Sequence, residues 1–87
     1  MQTDEIELLI KRGRLFEAYN ELESALSGNG RDLRLRQLYG LTLARLGLLE
    51  RARAVMEELA SEHTDPETSG ILGRIYKDYW KLTGDPG

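Results

Sequence analysis

Cysteine is absent from this 87-residue chain, so neither a disulfide nor a thiolate metal site can staple it. No apolar run approaches the roughly 18–20 residues of a membrane span, and the Met1–Glu5 start has no basic region leading into an apolar one. Nothing directs the protein away from the cytoplasm, which is the expected location. An excess of positive charge is also missing. The formal net charge is -3 with 31% of residues charged, so bulk attraction to nucleic acid or anionic membrane is not expected. There is one histidine, His63, which falls at a predicted helix C-terminus, where His is a favourable end residue. One His with scattered acids makes a poor metal site. The adjacent acids Asp4-Glu5 and Glu57-Glu58 point to different helix faces and form no acid/base dyad. Gly28-Asn29-Gly30 has neither the preceding strand nor the following Lys-Ser/Thr of a phosphate loop. These absences predict no enzyme, no cofactor and no metal. A chain this short and without staples must gain its stability from helix-on-helix packing.

What is present is helical periodicity. Thr3 is a candidate N-cap, with Asp4 and Glu5 in the first turn and Ile6, Leu9 and Ile10 on one face. Arg12-Gly13-Arg14 ends that helix. A second stripe follows in Leu15, Ala18, Tyr19, Leu22, Ala25 and Leu26, and Ser27-Gly28-Asn29-Gly30 reads as a loop. Asp32 caps a third helix with Leu35, Leu38, Tyr39, Thr42, Leu43 and Leu46, stopped by Gly47. The fourth carries Leu48, Leu49, Ala52, Val55, Met56, Leu59 and Ala60. Asp65-Pro66-Glu67 then starts a fifth, containing Ile71, Leu72, Ile75, Tyr76, Tyr79 and Trp80. No stretch alternates long enough to make a strand. The pattern predicts an all-α chain of five antiparallel helices at about 4–12, 15–27, 32–46, 49–63 and 66–82.

The helices repeat. Gly47, Ala52, Met56 and Leu59 correspond to Gly13, Ala18, Leu22 and Ala25 at one constant offset. That period and these small positions resemble the tetratricopeptide repeat, a pair of antiparallel helices. Gly40 fits the small position of the first helix of a pair and Ala52 that of the second, while Met56 replaces the usual aromatic. Arg36 and Leu43 stand where the repeat has Trp and Tyr, and Pro66 fits the closing Pro, slightly displaced. Leu72-Gly73-x-x-Tyr76 matches the Leu-Gly-x-x-Tyr element of the repeat. Residues 1–87 are therefore expected to form one domain, with units at about 1–30 and 31–65 and a half unit at 66–84. The fifth helix either caps the stack or begins a third pair, and Tyr79 and Trp80 are unusually apolar for a cap. The resemblance implies an interaction scaffold and not a catalyst.

A narrower likeness lies within the fifth helix. Gly73-Arg74-Ile75-Tyr76-Lys77-Asp78 resembles a stretch in the TRAF-binding, tetratricopeptide-like domain of apoptosis signal-regulating kinases and its bacterial relatives. With Asp65–Leu72 before it, the likeness covers about a sixth of the chain and implies a scaffold often paired with an effector. This chain carries no kinase element, and the architecture transfers more readily than the partner.

The first helix of each pair lines the concave face of such a stack. Basic residues concentrate there, predicting a groove of Lys11, Arg34, Gln37, Leu41, Arg45, Arg74 and Lys77 that grips an acidic or C-terminal peptide through guanidinium forks. The plainer alternative is a set of solvated or internally paired side chains, with Arg45 and Arg74 meeting acids such as Asp78. Homo-oligomerisation through Ile75, Tyr79 and Trp80 competes with it. A third reading stacks single-stranded nucleic acid on Tyr39, Tyr76, Tyr79 and Trp80, against which the negative net charge argues.

Overall fold

The computed structural model describes residues 2–83, and within them every regular element is helical. These are α1 (Gln2–Lys11), α2 (Leu15–Gly28), α3 (Leu33–Arg45), α4 (Leu49–Glu62) and α5 (Pro66–Thr83). Each helix packs antiparallel against the next. In addition α1, α3 and α5 touch in a row, whereas the α2 and α4 backbones stay apart. A stack joined closely along one side only must bow toward that side. The face built by α1, α3 and α5 is therefore the inner one.

The repeat is visible atom by atom at the turns. Gly13 and Gly47 adopt φ of 79° and 88°, a left-handed conformation that costs Gly nothing. Around Gly13 the amides of Arg12, Gly13 and Arg14 donate to the carbonyls of Leu8, Ile10 and Leu9. Around Gly47 those of Leu46, Gly47 and Leu48 donate to Thr42, Ala44 and Leu43, the same three bonds one repeat later. Arg14 and Leu48 then enter their helices with matching φ/ψ, near -86°/66° and -87°/64°. The step from α3 to α5 is shorter by a single position than the step from α1 to α3.

Three boundaries depart from the sequence reading. Thr3 lies inside α1, because the helix already includes Gln2. Gly28 belongs to α2, and the loop is Asn29–Asp32. Leu48, expected on the α4 stripe, is an exposed N-cap. The acidic caps form as expected. Asp32 accepts from the Leu35 amide at 2.9 Å, and Asp65 accepts from the amides of Glu67 and Thr68 at 3.1 and 3.2 Å.

Two apolar layers hold the stack. The first joins α1, α2 and the start of α3 through Ile6, Ile10, Ala18, Leu22, Ala25, Leu35 and Leu38. The second joins α3, α4 and α5 through Leu43, Ala52, Met56, Leu59 and Ile75. Tyr39 packs against both. Gly40 lets α4 approach closely: a Cβ there would stand 2.2 Å from Met56 Sδ. Leu22 is the counterpart of Met56 in the first pair and is likewise fully buried.

Candidate partner-binding surfaces

The register fixes what each inner-face position holds. Successive first helices present Glu7, Leu41 and Arg74 in one row and Lys11, Arg45 and Asp78 in the next, with Arg34 and Glu67 at the edge. Counted this way, the face carries Lys11, Arg34, Arg45 and Arg74 against Glu7, Glu67 and Asp78, and is only weakly basic.

Arg34 is not a free fork. Its guanidinium donates to Glu7 Oε2 at 2.9 Å and to Glu67 Oε2 at 2.7 Å, bridging α1, α3 and α5. Burial works against its charge, but the bonds to Glu67 and Glu7 outweigh that and raise its pKa. Gln37, expected in the groove, is buried; it accepts from Arg34 at 3.2 Å and donates to Asp65 at 2.8 Å and Thr68 at 3.0 Å. Arg34 and Gln37 thus tie α5 to the stack through partners far away in the chain. No local pattern marks this network. The constant register between first helices, which sets Arg34 beside Glu67, is the signal that could have found it.

The remaining groove residues divide. Lys11, Arg45, Arg74 and Lys77 are exposed and make no ion pair among the described residues, including the Asp78 pairing considered for Arg45 and Arg74. Lys77 aligns with Ala44 and not with Arg45, which puts it on the outer flank of α5. Leu41 and Arg74, with Glu67, Gly70 and Ile71, line a cleft of about 330 Å³ between α3 and α5. Arg36, in the repeat's Trp position, is held on Glu62 at 2.9 Å; that bond raises its pKa and lowers that of Glu62.

Most of the aromatic residues have internal partners. Tyr19 and Tyr39 stack with centroids 5.8 Å apart, Arg51 covers Tyr19, and Tyr39 donates to Glu23 at 2.8 Å. That bond lowers the Glu23 pKa, while burial and Glu23 raise that of Tyr39. This cluster spans the gap between α2 and α4. Tyr76 donates to Glu57, and Arg53 lies over Tyr79 at 5.1 Å. Tyr39 and Tyr79 thus each have a ring face covered, by Tyr19 and Arg53, and Tyr76 is tied to Glu57 through its hydroxyl. Ile75, named for an oligomer contact, is fully buried in the second layer and offers no contact surface. Trp80 is 56% exposed and Phe16 75%. Phe16 lies off the α2 stripe, next to Leu15, and the sequence reading did not single it out.

Paired helices, close crossings at a small residue and a recurring glycine turn define a tetratricopeptide-like all-α stack, an architecture used for protein–protein interaction. The chain belongs to the Tetratricopeptide Repeats-Sensor family, whose model matches residues 14–86. No curated protein and no solved structure matches it. No described helix is long and apolar enough to cross a membrane.

Proposed function

We propose that this protein is an interaction module that binds an acidic, partly apolar peptide segment of a partner protein in the cleft between α3 and α5. One observation carries the reading: Leu41, Gly70 and Ile71 form an apolar trough beside Arg74, with Arg45 one turn further along α3; neither guanidinium is engaged by a described acid, and Glu67, which also lines the cleft, is held by Arg34. An apolar side chain would enter the trough while carboxylates take the two forks. Lys11 extends the positive edge. Arg34 and Gln37 shape the site from below and do not contact the ligand. The acidic, cysteine-free composition suits a cytoplasmic setting, and the Gly73–Asp78 likeness suits a scaffold beside an effector.

The test is fluorescence polarisation with a labelled acidic peptide carrying a central leucine. R45E combined with R74E should weaken binding at least tenfold, and raised salt should weaken the wild type. Unchanged affinity in the double variant overturns the cleft. Self-association through α5 is the competing reading, favoured by the exposure of Trp80. A molar mass that rises with concentration in light scattering would support it, and a constant monomer mass would sink it.

A further inference from the structure

The outward face of α5 repeats the face by which α3 receives α4. One repeat on, Arg36, Gly40, Leu43 and Ala44 become Ser69, Gly73, Tyr76 and Lys77. In α3 this face is closed: Gly40 is buried and Met56 of α4 fills the space its missing side chain leaves. In α5 the same notch is open. No described atom from outside the helix lies within 4 Å of a Cβ built on Gly73. The other side of α5, with Thr68, Ile71, Leu72 and Ile75, packs against the stack as Leu35, Leu38, Tyr39 and Thr42 of α3 do.

We infer that this face is a docking site for an acidic amphipathic helix of a partner protein, laid antiparallel to α5 as α4 is to α3. The occupant's chemistry follows from two observations. The notch calls for a long unbranched apolar side chain, since that is what the equivalent notch at Gly40 holds. The charge around it is mainly positive. Lys77 lies on the face, with Arg74 and Lys81 on its flank; Asp78 shares a pocket with Lys81 against Ala44, Gly47 and Leu49, Glu67 is held by Arg34, and Glu57 is taken by Tyr76. Carboxylates one and two turns before the apolar residue would meet Lys77 and Lys81. The same charges weigh against a second copy. The same face of a second copy would offer Lys77 and Lys81 another pair of lysines and not the carboxylates they call for.

Trp80, the single tryptophan, lies one turn beyond Lys77 and reports on the site. The probe is a peptide of the α4 sequence Leu49–Glu62 carrying R51E and R53E, lactam-bridged on its outer face so that it is helical when free. Titrated into the intact protein, it should shift Trp80 emission to shorter wavelength in a saturable manner. G73M, which fills the notch where there is room, should weaken binding at least tenfold, and K77E with K81E should do the same. R45E alone, which alters the cleft from the α3 side, should bind this probe as the wild type does, so the two surfaces are tested separately. No shift with the wild type, equal affinity in G73M, or a concentration-dependent dimer that the peptide does not dissociate would each overturn the proposal.

Discussion

The two ends of the stack are built differently. At the α1 end, the positions matching Leu38, Tyr39 and Thr42 of α3 hold Asp4, Glu5 and Leu8. Charged side chains there present a polar outer surface, as terminal repeats of a solenoid do. At the α5 end the outward face keeps an interior pattern, with an open glycine notch, Tyr76 and Trp80. One end is finished by its own residues. The other has the shape of a surface that receives a helix, and the contrast comes from which side chains occupy equivalent positions in one repeated backbone.

The sharpest way to break this comparison is to substitute both equivalent glycines. Gly40→Leu would drive a side chain into Met56 and should cost about 3 kcal/mol, an overpacking penalty. Gly73→Ala places its methyl in open space and should raise stability by about 0.5–1 kcal/mol, the ordinary gain for replacing glycine in a helix. Urea unfolding of the two variants gives the answer directly. A loss at Gly73 as large as at Gly40 would mean that α5 is already covered.

A smaller effect is expected where α5 is fastened. Gln37→Leu deprives buried Thr68 of its donor and Asp65 of one partner, and should cost about 2 kcal/mol. Hydrogen exchange should locate the loss in α5, with α1 and α2 protected as before. Uniform loss across all five helices would show that the two ends do not open separately.

The smallest expected effect is in acid. The Glu62 carboxyl is depressed by Arg36 and the Glu23 carboxyl by Tyr39, from an ordinary 4.5. A carboxyl depressed in the folded state contributes stability that is fully present above that value and lost as pH falls through the folded pKa. Stability should therefore stay level down to about pH 5 and decline below it. Glu62→Gln should flatten part of that decline in thermal melts taken across the range. An unaltered slope would remove Arg36–Glu62 as its source.

Much of this fold was legible because its rules are local or periodic. Gly13 and Gly47 announce turns, Asp32 and Asp65 announce starts, and the small residue at Gly40 announces a close crossing that Met56 fills. The surfaces were less legible. The basic character of the third helix overstated the groove, since composition does not reveal that Glu7 and Glu67 lie against Arg34. Gln37 looked like a ligand-facing amide, yet its bonds run inward to Asp65 and Thr68 at the start of another helix. Ile75 read as part of an exposed aromatic edge, but helical phase turns it beneath α4. Side-chain pairing across helices is set by the packing of whole elements, and no short stretch encodes it.

The Glu7–Arg34–Glu67 bridge has a mechanical side. One guanidinium is the common pin of three helices that would otherwise touch only through thin strips of side chains. An anion that captured Arg34 would take its links to α1 and α5 together, leaving Gln37 and the apolar layers to hold the two helices. Occupancy at that atom would therefore be coupled to the bow of the stack.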